Sequence, residues 1–221
     1  MGCILFCNPE PTMPAVLTGD LIRSTRLGGR AVDFSLAALD HGADEIEGWG
    51  LGATRFTRYR GDGWQVYLSA AGQVLRASLF LAACLRAAET GLRTRIGAGV
   101  GAVDRLDDDL ARASGAAFVR SGRALDAMPR TRWLAIDGVG AGPWPGAVVD
   151  LADWIAARWS REQAEAVALA LDPSEPPQAE IADRLGVSRQ AVQARLAGAG
   201  FQALGTALAA FEAADHPGLL E

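Results

Sequence analysis

The chain has 221 residues, of which 50% are hydrophobic, so it is long enough to bury one large core or two modest ones. A formal net charge of −5 argues against polyanion binding over the whole surface but allows a local basic face. The 21 Lys-plus-Arg residues are all arginines, which excludes both a Schiff-base lysine and the lysine of a P-loop.

The beginning of the chain and its cysteines carry little chemistry. Cys3, Cys7 and Cys84 do not form a disulfide framework, and Cys84 lies in an apolar helical pattern. Residues 1–12 lack the positive start and long apolar run of a signal peptide, so we expect a mobile N-terminal extension. No run is long enough to span a membrane, and the simplest expectation is a cytoplasmic protein without a membrane partner.

Residues 13–145 show alternating strand and helix patterns in the order β-α-β-β-α-β, which is typical of a ferredoxin-like split βαβ unit. Gly91 is expected to cap the second long helix. A further helix, stopped by Pro129, and a strand follow. The predicted elements are Pro14–Asp20, Arg30–Trp49, Thr54–Arg60, Trp64–Leu68, Ala70–Gly91, Arg93–Gly101, Ala116–Met128 and Arg132–Ile136.

The Gly- and Pro-rich stretch from Gly138 to Gly146 indicates a domain boundary near residue 145, and residues 146–221 are predicted to be all helical. Ser160, with Gln163 three residues later, predicts a capping box, and Ser188 predicts a second N-cap. The predicted helices are Val149–Trp159, Arg161–Leu171, Gln178–Leu185, Arg189–Leu196 and Phe201–Ala214.

Two predicted strands are each associated with a Gly-Asp pair. Asp20 ends the first strand, and Asp62 lies between Gly61 and Gly63 at the tip of the predicted hairpin. An Asp-Gly turn without further function explains Asp62 taken alone. Two such aspartates, however, are suited to share one or two hard divalent cations and a triphosphate, since glycine leaves the carboxylate open to close approach.

The order and spacing of these motifs resemble class III nucleotidyl cyclase domains. Asp20 with Ser24-Thr25, then Gly61-Asp62, then the RIGAGVG strand that ends at Gly101 follow the pattern of those domains, and Gly115–Leu125 resembles the start of their next helix. The whole chain most closely resembles the SatD-like family. The resemblance implies an α+β fold, a ferredoxin-like cyclase palm followed by a small all-α helix-turn-helix domain.

The resemblance also implies roles for individual residues. Asp20 and Asp62 would hold Mg²⁺ or Mn²⁺, and backbone amides after Asp20 would hold phosphate at a helix start. Arg123 would stabilise the charged transition state, although an ordinary helix-surface arginine explains it equally well. The implied nucleotide-binding residues are Leu21, Ile22, Arg23, Ser24, Arg58 and Gly61.

Three positions depart from the cyclase pattern. Val119 replaces the asparagine that the family places four residues before Arg123, and Arg58 replaces a base-reading lysine. The base-reading acidic position falls near Arg112 or Ser114. Metal and triphosphate binding are therefore expected to persist while cyclase chemistry or base choice is altered. The acidic run Asp107–Asp109 is expected to be a solvated loop.

Residues 178–196 resemble a helix-turn-helix. Ile181 and Val192 fall on the inner faces of two short helices, and Gly186 allows a sharp turn between them. A plain helical hairpin or a dimerisation module is the alternative. Glu180 and Asp183 weaken the local positive field, so modest DNA affinity is expected. The predicted DNA-binding residues are Ser188, Arg189, Gln190, Gln193 and Arg195.

Three functions are consistent with these features. The first is a DNA-binding regulator whose palm binds a nucleoside triphosphate with a divalent metal. The second is a divergent nucleotidyl cyclase that forms a cyclic nucleotide, with the helix-turn-helix as its localiser. The third is a palm that serves only as a dimerisation scaffold.

A homodimer is expected because a two-fold pair of recognition helices reads a palindrome, and because the resembled cyclase sites form between subunits. The last helix, with Phe201, Leu204, Leu208 and Phe211, packs either across the two-fold axis or onto its own chain.

Overall fold

The computed structural model describes residues 13–22, 24–59, 61–140, 143–214 and 216. The extension predicted for residues 1–12 and the predicted phosphate ligand Arg23 lie outside the described residues. The fold is α+β, with one five-stranded mixed sheet and helices packed against it.

The sheet has the strand order β2-β3-β1-β4-β5. The first four strands in the chain pair antiparallel, and β5 runs parallel to β4. The strands are β1 (Ala15–Ile22), β2 (Thr54–Tyr59), β3 (Gly63–Leu68), β4 (Arg93–Val100) and β5 (Leu134–Asp137).

Helices connect the strands up to β5, except that β2 leads directly into β3, and after β5 the described residues contain helices but no further strands. Short 3₁₀ turns cover Ala71–Gln73 and Leu110–Arg112. The helices are α1 (Ser24–Leu27), α2 (Gly29–Gly48), α3 (Val74–Ala87), α4 (Ala116–Asp126), α5 (Trp144–Ala156), α6 (Arg161–Ala170), α7 (Gln178–Leu185), α8 (Arg189–Gly198) and α9 (Phe201–Glu212).

The predicted β-α-β-β-α-β order is found from β1 to β4, and each predicted element overlaps an observed one. The prediction for the second long helix is wrong at both ends. A 3₁₀ turn precedes α3, and α3 ends at Ala87, with Ala88 instead of Gly91 as its C-cap. The chain turns away earlier because Glu89 already adopts a left-handed conformation, with φ of 54°.

The two faces of the sheet are covered by different helices. Leu17 of β1 and Ile96 of β4 are fully buried in the core shared with α2 and α3. On the other face, α4 packs directly onto β4 because Gly97 and Gly99 carry no side chain there. A Cβ atom on Gly99 would lie only 2.5 Å from the Ser121 backbone nitrogen.

The core continues from the sheet into the C-terminal helices. One hydrophobic cluster includes buried residues from both segments, and α3 packs against α6. Arg76 of α3 donates to both carboxylate oxygens of Glu212 in α9, at 2.6 and 2.9 Å. The buried carboxylate of Asp153 in α5 accepts hydrogen bonds from the Trp133 and Leu134 amides, both at 2.9 Å. Polar contacts thus reinforce the apolar junction.

The last helix packs onto its own chain, one of the two arrangements that the sequence predicts. Leu204, Leu208 and Phe211 are buried, and the Phe211 ring meets the edge of Trp144 at a centroid distance of 6.3 Å. The capping box of Ser160 with Gln163 is confirmed. None of the helices that the structure describes is long and apolar enough to cross a membrane.

Candidate functional site

Asp20 and Asp62 lie at the same end of the sheet. In the pairing of β1 with β3, Asp20 stands opposite Gly63, the residue that follows Asp62. Strand pairing therefore brings two carboxylates from distant parts of the sequence to neighbouring positions. We call Asp20, Ser24, Asp62 and Arg95 the strand-end site. Asp20 and Asp62 are both partly exposed, so the end of the sheet is open to solvent.

Arg95 binds the Asp20 carboxylate. The two residues face each other across the pairing of β1 with β4. The Arg95 Nε donates to Asp20 Oδ1 at 3.0 Å, and a terminal nitrogen donates to Oδ2. This bidentate, charge-assisted contact raises the pKa of the Arg95 guanidinium, with the hydrogen bond to Asp20 as the largest cause. Sequence reasoning missed this residue, since its partner is defined only by strand register.

Asp62 is held by the segment that follows β1. The Ser24 hydroxyl donates a hydrogen bond to Asp62 Oδ2, so the first turn of α1 meets the hairpin tip. Gly61 has a φ of 76°, and no atom lies within 4 Å of the place where its Cβ would be. The hairpin tip thus requires glycine for its backbone conformation and leaves open space beside the carboxylate.

The strand-end site offers two carboxylates to a metal. Among the described residues, no group of three or more His, Cys, Asp or Glu side chains could hold an ion by itself. Mg²⁺ is commonly bound by one or two carboxylates together with substrate phosphates, and Mn²⁺ also prefers carboxylate oxygen. Asp20 and Asp62 would supply the two carboxylates, and substrate phosphates would supply the remaining ligands of the metal. Arg95 competes with a metal for Asp20, because its guanidinium contacts both Asp20 carboxylate oxygens.

The helix start predicted around Leu21 to Ser24 is found only at the last of these residues. β1 continues for two more residues, and Leu21 and Ile22 pair with β4. Leu21 is only 3% exposed. The first helix begins at Ser24, so the backbone of Leu21 and Ile22 belongs to the sheet instead of forming a phosphate-binding helix start. The strand persists because β4 provides pairing partners beyond the end of β3.

Arg58 lies near the strand-end site on β2 and is exposed. Its guanidinium donates to Asp33 of α2 at 2.9 Å, and both side chains are more than half exposed. Exposed ion pairs of this kind add little stability, typically ~0–1 kcal/mol. Arg58 therefore exchanges Asp33 for another anion at low cost.

The predicted catalytic residue Arg123 lies exposed on α4. Val119, one helical turn earlier, is 59% exposed. Among the described residues, no hydrogen bond or ion pair joins Arg123 to Asp20 or Asp62. Arg120, also on α4, is 7% exposed and donates to the Val100 carbonyl at 2.7 Å.

The acidic run forms a loop, as predicted. The Asp109 carboxylate accepts from the Ala111 amide at 3.0 Å, and Asp107 accepts from the Asp109 amide at 3.2 Å. The bond from the Asp109 amide lowers the pKa of Asp107, with a smaller effect from Arg105. Asp108 is fully exposed and pairs with Arg55 at 2.7 Å. Asp107 and Asp109 thus accept hydrogen bonds within the loop, and Asp108 joins the loop to β2.

The second candidate site is formed by α7 and α8, residues 178–198, which we call the α7–α8 unit. Gly186 adopts a left-handed conformation with φ of 64°, and the Val187 amide bonds back to the Ala182 carbonyl at 3.0 Å. Ser188 then caps α8, accepting from the Ala191 amide at 3.2 Å. This sequence of contacts ends one helix and begins the next within three residues.

The burial pattern of the α7–α8 unit agrees with the prediction at most positions. Ile181, Ala182, Val192 and Leu196 are buried. Four of the predicted DNA-binding residues are exposed at the start of α8 and along its outer face. These are Ser188, Arg189, Gln190 and Gln193.

Arg195 is an exception, and its predicted outward orientation is wrong. Its side chain is only 21% exposed and donates to Glu165 of α6 at 3.2 Å. Glu165 also accepts from Arg161 at 2.9 Å. Packing of α8 on α6 explains the difference, because it turns this position of α8 toward an acidic neighbour.

Comparison with known protein families gives no match, and a search among curated proteins also finds no relative.

Proposed function

We propose that this protein is a DNA-binding transcriptional regulator whose sheet domain, a cyclase-type palm, senses a nucleoside triphosphate together with Mg²⁺ or Mn²⁺. The observation that carries the proposal is the α7–α8 unit. Its turn, cap and buried face support a helix-turn-helix, and its exposed polar residues lie where such motifs read DNA.

The start of α8 supplies both kinds of contact that DNA recognition requires. Arg189 suits a phosphate or the acceptor edge of guanine, and Gln190 and Gln193 suit adenine. These side chains are exposed, so binding does not require local unfolding. Arg195 is not among the proposed DNA contacts, because its side chain is already paired with Glu165.

Arg189→Ala tests the DNA-binding half of the proposal. We expect roughly tenfold weaker binding to a duplex selected from a random pool, since one charge-assisted contact is lost. If that contact is to a phosphate, the salt slope falls by about one. Fluorescence anisotropy over a salt series measures both quantities. Arg30→Ala, an exposed arginine of α2, is the matched control and should leave both unchanged. Equal affinities for wild type and Arg189→Ala would contradict the proposal.

The nucleotide-binding half rests on the strand-end site. Asp20 and Asp62 occupy neighbouring strand ends, and a triphosphate would complete the metal coordination that two carboxylates begin. In the bound state that we propose, Arg95 exchanges Asp20 for a phosphate oxygen, which it binds with similar geometry. Arg58 turns from Asp33 toward the nucleotide. The strand order and the element order from β1 to β4 support a cyclase-type palm.

Asp62→Asn tests the sensor half. We expect loss of Mn²⁺-dependent triphosphate binding in calorimetry with each of the four nucleoside triphosphates. The melting temperature should stay near or above that of wild type, because two neighbouring carboxylates repel and asparagine still accepts from Ser24. Asp44→Asn, at an exposed position of α2, is the control. Unchanged nucleotide affinity in Asp62→Asn would remove the sensor from the proposal.

A homodimer is part of the proposal. Val119 and Arg123 lie one turn apart on α4, and both are exposed. A partner subunit that covers this face would bury Val119 and bring Arg123 to a neighbouring strand-end site. Light scattering at micromolar concentration with nucleotide, Mn²⁺ and DNA tests this arrangement, and a persistent monomer would contradict it. Mass spectrometry of the same triphosphate mixtures tests the alternative function, a nucleotidyl cyclase, because it detects any cyclic nucleotide that is formed.

A further inference from the structure

A cavity of about 160 Å³ lies between the sheet and the C-terminal helices. It is bounded by the ends of α3 and α5, the start of β4 and the segment that leads into β5. Its walls combine aromatic surface with an unusual number of cations. The residues that matter here are Arg86, Arg93, Arg130, Arg132, Trp133 and Trp159.

Part of the positive charge of this cavity has no carboxylate partner among the described residues. Asp150 forms an ion pair with Arg132 at 2.6 Å. Neither Arg86 nor Arg130 has an ion-pair partner within the described part of the chain, and Arg93 donates to the Ala157 carbonyl at 3.5 Å. Four arginines thus line the cavity, and two of them, Arg86 and Arg130, have no carboxylate partner among the described residues, in a chain whose formal net charge is −5.

Arg132 is anchored on one side only. A terminal nitrogen donates to the Leu134 carbonyl at 2.9 Å and contacts Asp150. Its Nε is buried and has no acceptor among the described residues. A buried donor without an acceptor leaves its partial positive charge uncompensated, which adds to the field that an anion in the cavity would meet.

We propose that this cavity binds a small organic anion, with one phosphate or carboxylate group and an aromatic or apolar body. Guanidinium groups bind such oxyanions in a bidentate manner, and their mutual repulsion is relieved when an anion lies between them. Trp133 and Trp159 supply the apolar surface that holds the body of the ligand. The walls contain neither Asp20 nor Asp62, so the proposed anion does not use the two carboxylates of the strand-end site.

The position of the cavity places the proposed anion between the sheet and the segment that leads to the α7–α8 unit. Arg86 and Arg93 belong to α3 and β4, whereas Ala157 and Trp159 connect α5 to α6. Trp159 also donates from its indole nitrogen to the Ala199 carbonyl at the end of α8, at 3.0 Å. A ligand in the cavity therefore contacts the sheet and the residue that supports the α7–α8 unit at the same time.

Phenyl phosphate is a suitable probe because it joins a dianion to an aromatic ring. The test is calorimetric titration of the full chain in EDTA, so that no divalent metal contributes. We expect saturable binding of one molecule per chain, and inorganic phosphate should bind about tenfold more weakly, since it buries no apolar surface. Equal affinity for the two probes would overturn the proposed apolar half of the site.

Arg86→Gln and Arg130→Gln should each weaken phenyl phosphate binding about tenfold, through loss of a charge-assisted contact. Arg30→Gln and Asp62→Asn should leave it unchanged, which separates this site from the strand-end site. Ala82→Met places a longer side chain in the cavity wall without altering charge, and should also weaken binding. This variant keeps the test decisive if an arginine variant fails to fold. Absence of saturable binding to wild type, or equal binding to wild type and Ala82→Met, would overturn the proposal.

Discussion

The strand-end site and the α7–α8 unit are stabilised over very different distances along the chain. At the strand end, Arg95 binds Asp20 across 75 sequence positions and Ser24 binds Asp62 across 38. In the α7–α8 unit, the Ser188 cap reaches the Ala191 amide across 3 positions. The first site therefore depends on the whole sheet, whereas the turn and cap of the second form from neighbouring residues.

This difference has a consequence for mutations. A change that disturbs the sheet should displace the strand-end residues and reduce stability strongly. A substitution at a helix cap should lower the free energy of unfolding only by the contribution of the capping hydrogen bond. The two regions nevertheless share one hydrophobic cluster, so residues that join them are expected to have intermediate effects.

Gly99→Ala should have the largest effect. The added methyl group would lie 2.5 Å from the Ser121 nitrogen and 2.7 Å from the Arg120 Cβ, so α4 must move away from β4. We expect the free energy of unfolding to fall by about 3 kcal/mol, the upper range for overpacking. Urea denaturation measures it.

Gly205→Ala in α9 is the matched control for this substitution. No atom lies within 4 Å of its Cβ position, and alanine favours helix over glycine by about 1 kcal/mol. The free energy of unfolding of Gly205→Ala should therefore rise slightly. Similar losses in both variants would show that chain flexibility, and not contact between α4 and β4, determines the response.

Arg76→Ala should have an intermediate effect, because it breaks the link between α3 and α9. The Glu212 side chain is 21% exposed and would lose both of its hydrogen bonds from Arg76. We expect a loss of about 2 kcal/mol, since a partly buried carboxylate remains without a partner. Thermal and urea unfolding of Arg76→Met, of Glu212→Leu and of the variant that combines these two substitutions form the test. The double variant should recover most of the loss, and strict additivity would contradict coupling between the two residues.

Ser188→Ala should have the smallest of these destabilising effects. Loss of an N-cap typically costs about 1 kcal/mol, and the cap contact here is local and exposed. Ser188→Asp retains an acceptor and should stay close to wild type. Both are measured by urea denaturation without DNA. A loss above about 3 kcal/mol for Ser188→Ala would show that α8 depends on tertiary contacts as strongly as the sheet does.

The same contrast explains what the sequence could predict. The Gly186 turn, the Ser188 cap and the Ser160 capping box depend on neighbouring residues, and all three were predictable from local patterns. The pairing of Asp20 with Arg95 was not, because it depends on which residues of β1 and β4 face each other. Asp20 and Asp62 were singled out from their glycines, but the continuation of β1 past Asp20 follows from the length of β4.

Arg195 and Gly91 show the same limit within helices. Arg195 falls on a helical position that is outward-facing when the α7–α8 unit is considered alone, and only the packing of α6 places Glu165 beside it. Gly91 was predicted as the cap because glycine commonly follows the last residue of a helix. The chain had already left the helix at Ala88, with Glu89 in a left-handed conformation.

The central claim is that nucleotide binding at the strand end controls DNA binding by the α7–α8 unit. The most direct test selects duplexes from a random pool with wild-type protein, and then measures their affinity by anisotropy with Mn²⁺ and each triphosphate. We expect enrichment of a palindrome, and a change in affinity with at least one triphosphate that disappears in Asp62→Asn. No enriched duplex, or an affinity that is the same with every triphosphate, would contradict it.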